Sequence, residues 1–342
     1  MTSERWRRRF RRAPLAAALA LLFSGTHDLH AQQTLPVPCA GACGAADLAF
    51  VTHGQASYAV HGTSATITQT TARAILNWQS FNIGAGNSVV FDQQAGASAV
   101  ALNRIHDANP TDIAGRLSAN GQVYLINANG VVFRNGAQVD TAGLIASTLN
   151  VTDAMFQDGA LFSQTTLTPA FVGSGGAVVV ETGALLRAAE GGKVMLFAPT
   201  VENRGRIEAP GGQIVLAAGQ KVYLRGSNDD NLRGLVVEVD SGGTATNAAT
   251  GTVVAARGNV TVAGLAVNQA GRVRATTTVS RNGSIHLLAR DTVTQPDASD
   301  IQSTVATRTG TVSFASGSVT EIVPEIADAG TIDQSAALKR SQ

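Results

Sequence analysis

Charged residues, aromatic residues, cysteines and long apolar runs are all scarce in this 342-residue chain. Charged residues make up 14% and aromatic residues 5% of it, and only two cysteines are present. Two thiols cannot supply the four ligands of a structural zinc site. No segment approaches the ~20 consecutive apolar residues that a membrane-spanning helix needs. These absences exclude a structural zinc protein and a helical membrane protein.

Glycine is abundant, with 36 residues, and Thr, Val, Ala and Asn are prominent. β-Branched residues favour strands, whereas glycine and asparagine favour the tight turns between strands. The composition therefore predicts an all-β protein with many short strands.

The N-terminus has the three parts of an export signal. Six arginines lie within residues 5–12, an apolar core follows at residues 15–23, and Leu-His-Ala at residues 29–31 is an acceptable cleavage site. The alternative is an uncleaved membrane anchor, but this apolar core is too short to span a bilayer. We therefore expect residues 1–31 to be a signal peptide that is removed before Gln32.

Removal of this segment would change the formal net charge from +1 to −3, because it holds six arginines and two acidic residues. A mature chain with a net negative charge lacks the basic footprint of a nucleic-acid-binding protein. We therefore expect no nucleic acid among its partners.

The two cysteines, Cys39 and Cys43, are separated by three residues. In a cytosolic protein this pair would suggest metal or redox chemistry, whereas in an exported chain a short local disulfide is the better interpretation. A disulfide here would tie down the new N-terminus. We expect no metal site and no cofactor.

A strand motif of the form Gly-variable-aliphatic-variable-apolar recurs along the second half of the chain. Its copies lie at residues 192–198, 212–218, 258–263, 283–289 and 310–315. The first two copies begin 20 residues apart, and the first and third begin 66 residues apart. A fixed step of about 20 residues combined with alternating strands is typical of a solenoid, so we predict a parallel β-helix. A β-sandwich or barrel is the alternative, although neither normally repeats one strand motif at a fixed step.

Strand alternation assigns a side to each residue of the motif. The residues expected to point inward are Val194, Leu196, Ile214, Leu216, Ile285 and Leu287. The residues expected to point to solvent are Lys193, Gln213, Asn259 and Ser284. We expect about ten to twelve coils, stacked at roughly 4.8 Å each.

Residues 32–74 lack the strand motif and are rich in Thr, Ser and His, so we interpret them as an N-terminal cap over the open end of the core. Residues 75–290 are predicted to form the β-helix. Residues 291–342 are predicted to hold further partial coils and a frayed tail that begins at Pro324.

Residues 123–133 read Val-Tyr-Leu-Ile-Asn-Ala-Asn-Gly-Val-Val-Phe, which predicts a buried strand, a tight turn and a second strand. Four further segments accompany it: Ile-Leu-Asn-Trp-Gln-Ser-Phe-Asn-Ile at 75–83, Ala-Leu-Asn-Arg-Ile at 101–105, and residues 109–121 and 140–149. Together they resemble the two-partner secretion domain of filamentous haemagglutinins, high-molecular-weight adhesins and secreted haemolysins. The resemblance covers roughly residues 50–225, with weaker repeat similarity to about residue 290. Ala128 stands where the family usually has proline, and the second family signature, Asn-Pro-Asn-Leu, is absent.

The resemblance implies a right-handed parallel β-helix and a secreted, adhesin-like or haemagglutinin-like exoprotein without enzymatic activity. It further implies a route through the periplasm of a Gram-negative cell to the medium or the cell surface. The implied partner is a TpsB-type outer-membrane transporter barrel with periplasmic POTRA domains. A host or neighbouring-cell surface is the second expected partner.

By the same resemblance, the turn is the transporter-recognition motif, formed by Asn127, Ala128, Asn129, Gly130 and Val131. Further candidate contacts are Asn103, Arg104 and Arg116. The two arginines are equally consistent with solvated turn residues whose stems lie on apolar surface. Trp78 and Phe81 are expected in the core, with an exposed binding patch as the alternative.

Two other functions are retained as alternatives: the carrier stub of a contact-dependent toxin or haemolysin, and a polysaccharide-acting β-helix enzyme. The nearest candidate for chemistry is Asn-Asp-Asp-Asn at 228–231, flanked by Arg225 and Arg233. It could bind Ca²⁺ through its oxygens, but a polar loop between coils is the favoured interpretation. Family members usually carry a long region after this domain, so a truncated gene, a stand-alone module and a fragment are the competing explanations for the short chain.

Overall fold

The computed structural model describes residues 34–43, 46–162, 166–227, 234–278 and 281–325. The predicted signal peptide, the predicted loop at 228–231 and the last part of the predicted tail lie outside these residues. The helical segments that it describes are α1 (Asp153–Gln157) and three 3₁₀ turns at Gly96–Ser98, Ala160–Phe162 and Ile301–Ser303.

Strands form nearly all of the regular structure. In chain order they are β1 (Val37–Pro38), β2 (Ala40–Cys43), β3 (Ala46–Ala49), β4 (Val51–His53), β5 (Ala56–His61), β6 (Ser64–Gln69), β7 (Arg73–Ser80), β8 (Ser88–Gln93), β9 (Val100–Ile105), β10 (Thr111–Ile113), β11 (Arg116–Ala119), β12 (Gln122–Ile126), β13 (Val131–Phe133), β14 (Gln138–Thr141), β15 (Gly143–Ser147), β16 (Phe171–Val172), β17 (Ala177–Val180), β18 (Leu185–Ala188), β19 (Lys193–Ala198), β20 (Thr200–Asn203), β21 (Arg206–Glu208), β22 (Gln213–Ala218), β23 (Lys221–Gly226), β24 (Leu235–Asp240), β25 (Thr244–Asn247), β26 (Thr252–Ala255), β27 (Asn259–Gly264), β28 (Ala266–Gln269), β29 (Arg272–Thr277), β30 (Ser284–Thr294), β31 (Val305–Thr309), β32 (Thr311–Phe314) and β33 (Val319–Pro324).

Three long sheets run along the stack of coils. The first sheet stacks β7, β9, β12, β15, β19, β22, β27 and β30 in parallel. The second follows the order β10-β13-β17-β20-β25-β28-β32, and the third runs from β6 through β8, β11, β14, β18, β21, β26 and β29 to β33. Successive coils each supply one strand to each sheet, which is the topology of a parallel β-helix. The predicted fold class is confirmed, and the β-sandwich and barrel alternatives are wrong.

The interior is one continuous apolar core made of the inward-facing rows of the three sheets. Four of the six residues predicted to point inward, Val194, Leu196, Ile214 and Leu216, are fully buried in it, and Ile285 and Leu287 pack against it in the last coil of the first sheet. Trp78 and Phe81 are also fully buried, and their rings meet edge to face at 5.1 Å. The alternative of an exposed aromatic patch is therefore wrong.

The outer face of the first sheet carries a second apolar core. The hairpin β23–β24 and the segment containing α1 pack over it, and together they bury residues such as Met195, Phe197 and Val215. The prediction that Gln213, Asn259 and Ser284 point to solvent is wrong, because each side chain is at most 2% exposed. Gln213 bonds to Leu235 of the added hairpin, and Ser284 bonds to the side chain of Asn259. Lys193 is half-buried.

Both added segments leave the β-helix at the corner between the first and second sheets. One lies between β15 and β17 and the other between β22 and β25. These insertions explain why the first sheet has eight parallel strands among the described residues rather than the ten to twelve coils expected. Lys193 and Gln213 are paired neighbours 20 residues apart, whereas Gln213 and its next neighbour, Asn259, are separated by the inserted hairpin.

The first coil is covered by antiparallel strands. β1 and β4 both pair antiparallel with β7, and β5 pairs antiparallel with β6. β6 already stacks parallel on β8, so the solenoid begins inside the segment 32–74 that we interpreted as a cap. These antiparallel strands thus cover the parallel edge of the first coil.

Candidate functional site

The Asn-Ala-Asn-Gly turn joins β12 of the first sheet to β13 of the second. The side-chain Oδ1 of Asn127 accepts a hydrogen bond from the backbone N–H of Asn129 at 2.9 Å, and the N–H of Gly130 donates to the carbonyl of Asn127 at 3.1 Å. Gly130 has a φ of +133°, a conformation that side-chain-bearing residues rarely adopt. The local sequence therefore closes a tight corner at the position predicted.

Hydrogen bonds to the preceding coil fix this turn in place. The amide of Asn127 donates to the carbonyl of Asn109 and to Oγ1 of Thr111, both at 3.0 Å. The amide of Asn129 donates to the carbonyl of Asp107 at 2.7 Å, and the N–H of Thr111 donates to the carbonyl of Gly130 at 2.9 Å. The Asn127 side chain is fully buried; its amide N–H groups align the turn with the preceding coil, while its Oδ1 closes the turn itself.

The following coil closes over the turn from the other side. The N–H of Gly176 donates to the carbonyl of Ala128 at 2.7 Å. A Cβ at Gly175 or Gly176 would lie within 2.5 Å of the carbonyl oxygen of Ala128 or Asn129, respectively, so the close approach depends on glycine at both positions. The turn is therefore packed between two neighbouring coils.

Only part of the predicted motif is displayed at the surface. Ala128 and Asn129 are exposed, whereas Asn127, Gly130 and Val131 are buried. In the folded domain a partner can contact the side chains of Ala128 and Asn129 and no other side chain of the motif.

Asn103, predicted as a contact residue, lies in the interior. Its side chain is fully buried, accepts a hydrogen bond from the indole N–H of Trp78 at 2.9 Å and donates to the carbonyls of Ala101 and Tyr124. Strand alternation places Asn103 on the inward side and Arg104 on the outward side of β9. Asn103 therefore cannot contact a partner of the folded domain, because its side-chain amide is buried and hydrogen-bonded inside the core.

Arg104 lies beside the turn and is engaged within the chain. It pairs in register with Ile126, the residue that precedes Asn127. Its guanidinium donates to the carbonyl of Val151 at 2.6 Å and forms an ion pair with Asp153 in α1. Burial, and then the charge of Arg104, lower the pKa of the neighbouring His106, which favours its neutral form.

Arg116 occupies a different part of the molecule. It is exposed at the start of β11, in the third sheet, where it pairs in register with Ser88 and Gln138. The structure does not bring it together with the Asn-Ala-Asn-Gly turn, which joins the first and second sheets.

A charged group next to the turn was not found from the sequence. Arg134, which follows β13, donates to Asp112 at 3.0 Å and to Glu181 at 2.8 Å, so it links the coils on either side. Hydrogen bonds with Glu181 and then Asp112 raise the pKa of the Arg134 guanidinium. The signal was present as opposite charges on three successive coils, but the coil spacing in this region was needed to detect it.

Cys39 and Cys43 form a disulfide in the structure, and both are buried. The N–H of Cys39 donates to the carbonyl of Asn77 at 3.0 Å, which attaches this segment to the first coil. Within the described ranges, no cluster of three or more His, Cys, Asp or Glu side chains is arranged to hold a metal ion. No helix among the described residues is long and apolar enough to cross a membrane.

Comparison with known proteins identifies the architecture. A family model described as the TPS secretion domain matches residues 44–303, which is more than half of the chain. The chain belongs to the TPS secretion domain family. The family predicted from the motifs is therefore confirmed.

Relatives of this TPS domain occur in Haemophilus influenzae. Two heme/hemopexin-binding proteins of that organism are 43% identical over 95 residues and 46% identical over 83 residues. These matches cover 28% and 24% of this chain but only 10% and 9% of the relatives, so the chain spans about a tenth of their length. The similarity therefore concerns one segment of those proteins.

A solved structure has the same fold. The HMW1 secretion domain of Haemophilus influenzae superposes with a TM-score of 0.60 at 28% sequence identity. The match covers 70% of this chain and 62% of the other. The TPS domain described above thus shares its β-helix with an experimentally determined secretion domain.

Proposed function

We propose that this TPS domain directs export of the chain through a cognate TpsB-type outer-membrane transporter, whose periplasmic POTRA domains engage it before it folds. The observation that carries the proposal is membership of the secretion-domain family together with the Asn-Ala-Asn-Gly turn at residues 127–130. The exported product is the secreted or surface-displayed exoprotein to which the family resemblance points.

The burial of the motif indicates that the transporter recognises it before the chain folds. Asn127 and Val131 are inaccessible once the coils have stacked, so their side chains can contact the transporter only in the unfolded chain. Ala128 and Asn129 remain accessible in both states. The same short segment then binds the transporter while the chain is unfolded and aligns neighbouring coils after the chain has folded.

The free energy of folding outside the cell makes transport through the barrel proceed outward. Each coil buries its apolar row only against a neighbouring coil, so stacking adds stability step by step once the first coils have formed. The strand pairs join residues about 20 or more positions apart, and contacts of that kind form slowly. A slow-folding chain stays open in the periplasm and folds after it emerges, which opposes return through the barrel.

We assign the exported protein an adhesin-like, non-enzymatic role, because the order of its motifs follows the high-molecular-weight adhesin branch. The relatives named as heme/hemopexin-binding proteins share about a tenth of their length with this chain. Their similarity supports a shared export domain and does not support a shared ligand.

The test is export of paired variants by cells that also produce the transporter. Asn129→Ala removes the exposed amide of the motif, and Asn135→Ala removes an exposed asparagine in the next turn of the same coil. We expect Asn129→Ala to lower the secreted fraction several-fold and Asn135→Ala to leave it within the range of the parent chain. Equal export of all three proteins, or export without the transporter, would contradict the proposal.

A further inference from the structure

A crevice on the outer face of the first sheet contains two cations that have no anionic partner among the described residues. The register places Arg73, Val100, Gln122, Gly143 and Lys193 in one row across five neighbouring strands. Among the described residues, neither the Arg73 guanidinium nor the Lys193 ammonium has a carboxylate or hydrogen-bond partner.

The added layer forms a roof over this row. Phe156, Leu161 and Phe162 cover a cavity of 150 Å³ at the Arg73 end, floored by Gln122 and Tyr124. A second cavity of 160 Å³ lies at the Lys193 end, bounded by Gln122 and Gly192. A constriction of 10 Å³, with room for about one water molecule, is lined by Gln122, Gly143, Phe162 and Lys193 and shares lining residues with both cavities.

The roof accommodates both cations. The Lys193 ammonium lies 5.8 Å from the centre of the Phe162 ring, and burial lowers its pKa. A side chain at Gly159 would collide with the Arg73 guanidinium, so the glycine leaves the space that this group occupies. Tyr124 is buried between them, and its hydroxyl lies 3.3 Å from Oε1 of Gln122. Glu190 also borders the Lys193 end, but it pairs with Arg257 at 3.2 Å.

Two half-buried cations without counter-ions in the described part of the chain, at opposite ends of a crevice with an aromatic lining, have the chemistry of a dianion site. Partly buried positive charges are costly unless an anion compensates them. Four strand spacings separate the Cα atoms of Arg73 and Lys193 by about 19 Å, and both side chains are long enough to shorten the gap between the charges. The Gln122 side chain, at the centre of the row, extends over Gly143, so a ligand that spans both ends displaces this flexible side chain.

We propose that this crevice binds an elongated organic dianion, with one anionic group at Arg73, the other at Lys193 and an apolar middle against Phe162 and Tyr124. The site is independent of export, since it lies on the folded outer face and is tested on purified protein.

The test measures binding of linear dicarboxylates to the purified chain by calorimetry, at constant ionic strength set with sodium chloride. The probes are succinate, suberate and sebacate, with the monocarboxylate octanoate as the singly charged comparison. We expect the longer dicarboxylates to bind more tightly than succinate and octanoate and to raise the unfolding temperature.

Three variants locate the site. Arg73→Gln and Lys193→Gln each remove one charge-assisted contact and should weaken binding about tenfold. Arg116→Gln removes one exposed positive charge from the third sheet and should leave affinity within about twofold, which controls for net charge. Circular dichroism of each variant verifies that the β-helix has formed.

Two results would overturn the proposal. One is the absence of dicarboxylate binding above the chloride background in the parent chain. The other is binding that is weakened by only one of the two glutamine variants, or equally by Arg116→Gln, because a bridging dianion requires both ends of the crevice.

Discussion

At the scale of the residue, one buried asparagine does most to hold the candidate site together. Asn127 uses its carbonyl oxygen within the turn and its amide on the preceding coil. Satisfying all of these groups inside the protein avoids the cost of a buried polar atom without a partner. The neighbouring Gly130 contributes a backbone conformation instead of a contact.

Gly130→Val should destabilise the domain and reduce export. The φ of +133° strains a β-branched residue, and a Cβ there would lie 3.1 Å from Cβ of Pro110. We expect a loss of about 1–3 kcal/mol in the free energy of unfolding, measured by urea denaturation, with a parallel fall in secreted yield. Unchanged export of this variant would show that the turn has no such role.

Ala128→Pro is the control for Gly130→Val, because it changes the same turn at a position where we expect the substitution to be tolerated. The N–H of Ala128 donates no hydrogen bond within the described part of the chain, so its loss costs little. Proline is also the usual family residue at this place. We expect stability and secreted yield close to those of the parent, and loss of export would contradict our account of the turn.

At the scale of the element, one buried glutamine bonds the added hairpin to the first sheet. The amide of Gln213 in β22 donates to the carbonyl of Leu235 at 2.8 Å, and its Oε1 accepts from the N–H of the same residue at 2.9 Å. These bonds fasten β24 to the outer face of the first sheet. The hairpin in turn shields the second apolar core from water.

Gln213→Ala should loosen β23 and β24 without unfolding the β-helix. It leaves both backbone groups of Leu235 without their partner, at a cost of about 1–3 kcal/mol. Hydrogen-exchange mass spectrometry should show faster exchange in β23–β24 and little change in β22. Gln138→Ala, in an exposed position of the third sheet, is the control, and an equal effect from it would refute the assignment.

The end of β30 contains an ion pair that should make stability depend on acidity. The fully buried carboxylate of Asp291 is bound by the Arg308 guanidinium and by the N–H of Gly242 at 2.8 Å. Hydrogen bonding from Arg308, opposed by burial and aided by Gly242, lowers the pKa of Asp291 below its ordinary value of 3.8. This carboxyl is therefore more acidic in the folded chain than in the unfolded chain.

It follows that Asp291 contributes stability above about pH 4 and loses this contribution as the pH falls through its folded pKa. We expect the free energy of unfolding of the parent to fall more steeply below pH 4 than that of Asp291→Asn. The variant should be the less stable protein at pH 7. Asp140→Asn, at an exposed position, should follow the pH profile of the parent, and parallel profiles for all three would contradict the prediction.

At the scale of the whole molecule, stability comes from contacts between neighbouring coils. The first sheet pairs Lys193–Ala198 with Gln213–Ala218 residue for residue, so this coil begins and ends in register. Stability in such an array is approximately a sum over coils and the interfaces between them. A whole coil can therefore be removed without reversing the side that each strand presents to the core.

Deletion of residues 193–212 should leave a shorter β-helix, because it joins Gly192 to Gln213, which occupies the position of Lys193 in the next coil. Deletion of residues 193–202 removes half a coil and should abolish cooperative unfolding, since the following strands then meet the wrong sheet. Circular dichroism and thermal unfolding of both proteins provide the comparison. Equal loss of structure in the two would show that the coil is not the unit of folding.

The sequence by itself determined the fold class, the family, the inward rows and the position of the critical turn. These features follow from local rules: alternation with a period of two, a fixed repeat step, and asparagine and glycine at a corner. The side of each strand in contact with the central core was predictable because every coil must bury the same face.

Only the tertiary structure decided what covers the other face. Gln213, Asn259 and Ser284 are polar and alternate outward, yet they are buried, because insertions elsewhere in the chain fold back over the first sheet or a neighbouring side chain satisfies them. The burial of Asn103 and the partners of Arg104 likewise depend on which residues of other coils meet them. Contacts between distant segments set these outcomes, and a local pattern carries no information about the partner that a polar side chain will meet.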